Sequence, residues 1–373
     1  MLTGITIIGD FLRSDEKGRP GDSDQCVMWL FNAIKRQLVR AAALPVHPVT
    51  AQNFADLYRW VEASRPPEQA DRYWAATFDE LPNDDALNHI LQHRLERQFV
   101  VGYELPPYLR RWLGRFGIPF VDLRIHPVRF LDDLLFAVRA SDPETQSRLM
   151  GMGVPEHNVH AAAGLIEAMC CLNTSCNLPR ETLLVIGQRV MDSSQVIGGS
   201  FFDALAHQDE IAQICGAYPA VLLKPHPYGG QHSLLLATAA APNAAGVTSD
   251  NLYRLFAQPQ IAAVLTVSSS AAYEAGYFGK QLHTLAALPI RIGWRGDECE
   301  PETYASVDGQ VLSSDFWRVI LAPHTKVSAH DGARLPDKPN RLRIALNSFW
   351  NFQEIDTDRI PAGPHGVRPG LLA

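Results

Sequence analysis

Cysteine is scarce in this chain: six among 373 residues, at Cys26, Cys170, Cys171, Cys176, Cys215 and Cys299. None falls in a paired CxxC spacing, so neither a disulfide framework nor a zinc site is expected. Positive charge is short too. Lys and Arg number 33 against 40 Asp and Glu, for a formal charge of −7. A protein that neutralises nucleic-acid phosphates carries the opposite excess, so nucleic acid is not an expected partner. Long apolar runs are missing: Ile261 to Val267, broken by Thr266, falls far short of the ~20 residues that span a bilayer. The opening Met1 to Ile8 has no basic start, apolar stretch and small-residue cleavage site, so no signal peptide is read there and the cytoplasm is the expected compartment. There is no internal repeat and no low-complexity tract.

Ordinary globular composition remains, with 46% hydrophobic and 20% charged residues, and a length that divides into about two domains. Ile5 to Ile8 reads as a buried strand and Trp29 to Leu38 as a helix, with the polar stretch Arg13 to Asp24 as the loop between them. A second unit follows: strand Phe99 to Tyr103, helix Pro106 to Phe116, strand Phe120 to Asp122. Asp142 to Cys176 has helical spacing and reads as a passage between domains. Apolar, β-branched strands return at Thr182 to Gly187, Ala220 to Lys224 and Ile261 to Val267, as parallel strands covered on both faces require. Helices are expected over Phe201 to Tyr218, Leu252 to Ala257, Ala271 to Phe278 and around Leu342 to Phe352. The expected organisation is α/β, with one domain over residues 1–176, a second over 177–330, and a C-terminal helix and tail over 331–373.

In open α/β sheets ligands bind beyond the carboxyl ends of the strands. There, Val221-Leu222-Leu223 runs into Lys224-Pro225-His226-Pro227, a cation and an imidazole on a stiffened turn that suit a phosphate. The bland reading is a strand-ending turn; His-Pro also occurs at His47-Pro48 and His126-Pro127. Ser268-Ser269-Ser270 follows the 261–267 strand and precedes a helix, an arrangement that aims backbone N–H groups at an anion. Glu274, one turn on, suits a ribose diol, or else caps the helix with Ser270. Asp192 lies in the loop after the first strand of the second domain, facing the cleft or capping a following helix. Glu104 ends a strand of the first domain. One carboxylate from each domain across a cleft is what nucleophile and acid/base chemistry at a sugar carbon requires. Asp22-Ser23-Asp24 spells a metal-binding DxD pattern but sits away from the phosphate cluster, so no metal is expected. Asp132-Asp133, after Arg129-Phe130 in a stretch read as helical, suits a solvated face. Arg110, Arg111 and Arg115, with Trp112, suit anionic headgroups as well as a solvated helix face.

Taken together, Gln188 with Asp192, Lys224-Pro225-His226-Pro227, Ser268-Ser269-Ser270 with Tyr273-Glu274-Ala275, and Gly279-Lys280 resemble the capsule polysaccharide biosynthesis family. That family includes the retaining β-Kdo transferases of bacterial capsule and O-antigen assembly. Gly102 to Pro106, Gly117-Ile118-Pro119 and His126 to Asp133 are similar to the same group, and the likeness spans roughly residues 99 to 285. It implies a GT-B fold, two Rossmann-like domains facing across a cleft. It also implies CMP-β-Kdo as donor substrate and a saccharide or lipid-linked glycan as acceptor, with no metal or other cofactor. By the resemblance His226, Pro227 and the serines hold the cytidylate phosphate with Lys224 and Gln188, and Glu274 holds the ribose. Asp192 is then the nucleophile and Glu104 the base. Arg129 and Asp10 are candidates for the substrate carboxylate or the acceptor. Lipid-linked acceptors imply peripheral contact at the inner face of the inner membrane. The chain carries a single transferase unit, where larger members carry a second transferase or an export-associated module. Another GT-B enzyme, sialyltransferase-like or UDP-sugar-dependent, and a non-catalytic capsule assembly or export protein stay open as alternatives.

Overall fold

The computed structural model describes residues 1–14, 18–171, 178–189, 191–226, 233–239, 241–330, 332 and 338–346. Strands β1 (Gly4–Ile8), β2 (Val46–Pro48), β3 (Gln98–Tyr103), β4 (Phe120–Ile125) and β5 (Phe136–Ala140) are interspersed with helices α1 (Asp24–Ala42), α2 (Ala55–Ser64), α3 (Ala70–Thr77), α4 (Asp85–Leu95) and α5 (Pro107–Arg115), with α2 to α4 between β2 and β3 and no helix between β4 and β5. Helices α6 (Pro143–Gly151) and α7 (His157–Cys171) lead to β6 (Thr182–Ile186) and a short hairpin of β7 (Val196–Ile197) and β8 (Ser200–Phe201). Then come α8 (Gln208–Gly216), β9 (Ala220–Lys224), α9 (Ser233–Ala239), β10 (Ala244–Val247), α10 (Leu252–Phe256), β11 (Ile261–Thr266) and α11 (Ala271–Tyr277). Strands β12 (Gln281–Thr284), β13 (Arg291–Gly293) and β14 (Thr303–Val307) and helices α12 (Ser314–Leu321) and α13 (Arg341–Leu346) complete the described elements.

Two sheets result. One has the order β13-β14-β5-β4-β3-β1-β2, the other β10-β9-β6-β11-β12. The second is parallel throughout. The first is parallel from β2 to β4, with β5 antiparallel to both β4 and β14. Apolar spacing explains the layers. Val27, Leu30, Ile34, Leu38 and Ala41 form one stripe of α1, which covers one face of the first sheet together with α6 and α12, as a helix with that period must. Residues of α2 to α5 cover the other face. Between the sheets, the loop after β4 inserts Phe130 among Tyr253 and Phe278 of the second unit, with ring centroids 5.8 and 5.3 Å apart.

Several expectations change here. Residues 291–321 were expected within the second domain, but β13 and β14 extend the first sheet and α12 packs on α1. The expected boundary at 176/177 and most of the 331–373 tail lie outside the described residues. The segment 129–133 is not helical: β4 and β5 are antiparallel neighbours, and this is the loop that reverses the chain, closed by the His126 N–H to the Leu135 carbonyl at 2.9 Å. Its Asp133 is not a solvated face, because the carboxylate accepts N–H groups of Leu342 and Arg343 at the start of α13. The stretch from 201 begins in the β7–β8 hairpin, turned by Gly198 and Gly199, both at positive φ, and becomes α-helical only at Gln208. Among the described residues no helix is long and apolar enough to cross a membrane.

Candidate active site

A cavity of about 970 Å³ opens between the units. Its floor comes from the carboxyl end of the first sheet: Asp10 and Arg13 after β1, Glu104 after β3, Arg124 at the end of β4. Ser193, Ser194, the β7–β8 hairpin and residues 285–289 of the second unit wall it.

Glu104 is the unusual residue. It stands at φ 51°, and of the six described non-glycine residues at positive φ it is the one that lines the cavity. A glutamate in that region costs on the order of 1 kcal/mol, so the surroundings must hold it there. Burial, the largest influence, lifts its carboxyl above the ordinary value; Arg124 and Arg13 pull it down, Asp192 pushes it up and Arg129 pulls it down again. Glu104 from one unit and Asp192 from the other, the expected pair of carboxylates, are therefore within electrostatic reach of one another, although Asp192 does not line the cavity. Asp192 also caps the 193–195 turn by accepting the Ser194 N–H at 2.9 Å, so its bland role is real as well.

Gln188 ties the second unit's loops together. Its Oε1 accepts the Ser268 N–H at 2.8 Å and the Thr266 hydroxyl at 3.1 Å, and its Nε2 reaches the Ser194 Oγ at 3.3 Å. Ser268 is fully buried and donates its hydroxyl to the Ser194 carbonyl at 2.6 Å. It supports the turn that faces Glu104. Ser269 Oγ accepts the Ala271 N–H at 3.3 Å, while Ser270 occupies the cap position of α11 without a side-chain cap bond. Lys224 and His226 stand at the carboxyl end of β9; the Lys224 ammonium donates to the Asp250 carbonyl at 2.6 Å. Pro227 lies outside the described residues. None of Gln188, Lys224, His226, Ser268, Ser269, Ser270 and Glu274 lines the cavity itself.

Glu274 is buried, and one oxygen accepts both the Arg129 N–H at 2.7 Å and the Tyr253 hydroxyl at 2.9 Å. Burial pushes its carboxyl up to about 7, against the pull of the Arg129 amide and charge, Tyr253 and Arg343. The Arg129 peptide is thus held from both sides, its N–H by Glu274 and its carbonyl by Arg343 at 2.6 Å. Asp10 is saturated differently: Tyr108, Leu12 and Arg13 donate to Oδ1 and Trp74 to Oδ2, at 2.7 to 3.2 Å. With roughly four accepting sites on a carboxylate, little is left for a substrate. Asp22 pairs with Arg13 at 3.0 Å, and Asp24 accepts from Tyr58 and the Ala51 N–H. His126 is buried between the Val128 N–H and Ser306, and burial pushes it down to about 3, which leaves the imidazole neutral.

Only part of the arginine helix faces outward, with Arg111 and Arg115 exposed. Trp112 is buried with its indole N–H on Asn88, Arg110 turns inward to Tyr304 at 2.8 Å, and Arg111 is bound to Asp79. Arg13 and Arg124 escaped the reading of the sequence. The signal for Arg124 was present: Asp122 and Arg124 interrupt the otherwise apolar strand Phe120–Ile125, and charges in a central strand need a reason.

No family model matches the chain, and no curated protein matches it. Among solved structures, the beta Kdo 2,7 transferase of Thermosulfurimonas dismutans KpsC is similar at 10% identity, over 86% of this chain and 99% of that one, with a TM-score of 0.38. The beta Kdo 2,4 transferase of the same KpsC is similar at 16% identity, over 59% of this chain and 78% of that one, with a TM-score of 0.33. At such overlap and identity neither likeness assigns a substrate or a residue role to this chain.

Proposed function

We propose that the chain is a GT-B glycosyltransferase that moves Kdo, or a related 2-keto sugar acid, from its CMP ester to a saccharide hydroxyl with retention. The observation that carries this reading is Glu104, held in a left-handed conformation on the cavity floor beside Arg13 and Arg124, with the charges of Asp192 and Arg129 felt at its carboxyl. Three guanidiniums beside two carboxylates suit a donor that brings its own carboxylate and phosphate. In this reading Asp192 attacks the anomeric carbon and CMP departs, its phosphate assigned to Lys224, His226 and the turn at Ser269 and Ser270, at the carboxyl ends of β9 and β11 and outside the cavity lining. Phosphate needs little protonation to leave, so charge stabilisation does most of the work. Glu104 then removes the acceptor hydroxyl proton, the oxygen attacks the same carbon, and Asp192 is released.

The mutual repulsion of the two carboxylates supports this order of steps. While Asp192 is ionised it resists ionisation of Glu104. Once Asp192 is esterified that charge is gone, and Glu104 becomes the carboxylate that the second step needs. In this reading the donor is nucleotide-activated and the reaction cytoplasmic.

The test is incubation of the purified chain with CMP-Kdo and a panel of glycan acceptors. Transfer is expected, or slow release of CMP without acceptor, and Glu104→Gln should accumulate an adduct one sugar heavier on the peptide containing Asp192. Neither transfer nor hydrolysis would refute the proposal, and an adduct elsewhere would move the nucleophile. Stabilisation by UDP and not by CMP in a melting experiment would favour a different donor.

A further inference from the structure

We propose that Asp122, together with Tyr304 and Arg110, is the positioning group that holds Glu104 in its left-handed conformation and sets the charge around it. This rests on the reading of Glu104 as the base. Asp122 lies in β4 and is fully buried. The Glu104 N–H still joins the strand ladder, donating to the Leu123 carbonyl at 2.8 Å. The left-handed turn then throws the next amide out of the ladder, and Asp122 Oδ1 receives that Leu105 N–H at 2.8 Å. The Leu105 carbonyl is bound in turn by Arg110 at 3.2 Å. Both polar groups of the residue after Glu104 are therefore fixed by side chains that are themselves joined. Tyr304 donates its hydroxyl to Asp122 Oδ2 at 2.5 Å and accepts from Arg110 at 2.8 Å.

A buried carboxylate is an expensive way to receive one amide, since an apolar replacement generally serves stability as well or better. Its second contact explains the choice. Asp122 Oδ2 lies 3.5 Å from the Arg124 guanidinium, whose charge is also one of the strongest influences on Glu104. Burial opposes the charge on Arg124, but Tyr304, Asp122 and Glu104 outweigh it and hold it protonated. Arg124 is thus shared between a structural carboxylate and the site carboxylate. That sharing keeps Arg124 from neutralising Glu104 fully, and so preserves its basicity. The other groups that act on or respond to Glu104 are Tyr103 at the end of β3, Arg13 from the loop after β1, Cys26 from α1, Arg129 from the loop after β4, and Asp192 from the second unit. None of them touches Asp122 in place of Arg124.

Asp122→Asn keeps an oxygen for the Leu105 N–H and removes the charge, while Tyr304→Phe removes one hydroxyl without changing charge. In the transfer assay, Asp122→Asn should lower kcat by roughly tenfold to a hundredfold, as small misplacements of a catalytic group do, with the donor KM changed far less. With Arg124 released to Glu104, the acid limb of its pH profile should move to lower pH. Tyr304→Phe should lower kcat by a smaller factor and leave that limb in place. The 13C chemical shift of the Glu104 carboxyl, followed against pH in wild type and Asp122→Asn, reads the same movement without turnover. Wild-type kcat and an unmoved limb in Asp122→Asn, with Glu104→Gln inactive, overturn the inference alone. Wild-type turnover by Glu104→Gln overturns the reading beneath it. If Asp122→Asn fails to fold, an unaltered kcat in Tyr304→Phe is the overturning result.

Discussion

Gly102, two residues before Glu104, is the sharpest place to perturb the site from within the core. A Cβ built there would sit 2.1 Å from Leu105 Cγ and 2.4 and 2.6 Å from its two methyl carbons. Ordinary contact begins beyond 3.4 Å, so Leu105, which is fully buried, would have to move by more than an ångström. Gly102→Ala should therefore cost about 1–3 kcal/mol as overpacking. Leu105→Ala should cost about 2–5 kcal/mol by leaving a cavity. The new methyl and the vacated space occupy the same place, so the double variant should be less destabilised than the sum by at least ~1 kcal/mol. Urea unfolding of the four proteins measures this. Turnover should follow a different order. Gly102→Ala displaces the 104–105 peptide and should lose activity, Leu105→Ala keeps the backbone anchor and should retain most of it, and the double variant should regain part of what Gly102→Ala loses. Additive stabilities together with normal turnover in Gly102→Ala would refute the reasoning that a side chain at 102 displaces Leu105 and, with it, the 104–105 peptide.

Glu274 is pushed up to about 7 from 4.5, so the folded chain holds a proton there that the unfolded chain has lost. Its contribution is complete below pH 4.5 and disappears as pH rises through 7, on the order of 3 kcal/mol; Glu274→Gln should remove that slope from a stability-against-pH curve. His126 works the other way, pushed down to about 3 from 6.5, so its stabilisation is present above pH 6.5 and is lost as pH falls towards 3. The two slopes oppose one another where they overlap, between pH 4.5 and 6.5, so Glu274→Gln should unfold more readily on acidification there than wild type does; an unchanged acid limb would contradict this. Asp133→Ala should untie α13, costing about 0.5–2 kcal/mol as the loss of a cap does. Since the Trp29 indole N–H donates to the Ala345 carbonyl at 3.1 Å, a change in tryptophan fluorescence before global unfolding is the readout.

What could be read in the sequence was whatever is decided locally. The β-branched runs at 182–186, 220–224 and 261–266 are buried on both sides, so their composition alone marks them, and their carboxyl ends carry Gln188, Lys224 and Ser268 where the expectation put them. Glu104 and Asp192 could be singled out as candidates because each directly follows a strand or lies in the loop after one. Partnership between distant segments left no local trace. Thr303–Val307 is too short and mixed to announce a strand, and nothing in it says that its neighbour is β5, some 165 residues earlier by the pairing of Ala305 with Val138. Arg110 reads as one of three surface arginines, yet its contacts are with Asp122 and Tyr304, and only the fold brings these together. Ser268 reads as a ligand and is buried, because a hydroxyl near a strand end serves a neighbouring loop as readily as a phosphate.

The pairing of β14 with β5 has a consequence for how the chain is made. Synthesis delivers β1 to β5 first, but β5 keeps an open edge until residue 307 is in place, after the whole second sheet has been produced. The ribosome thus releases a nearly finished sheet whose β5 edge is still uncovered, and an uncovered edge is a template for pairing with another chain. The second sheet, β6 to β12, is continuous in sequence and can close as it emerges. The expected sequence of events is early closure of the later unit and late closure of the earlier one, with the window between them the point at which nascent chains are most prone to associate.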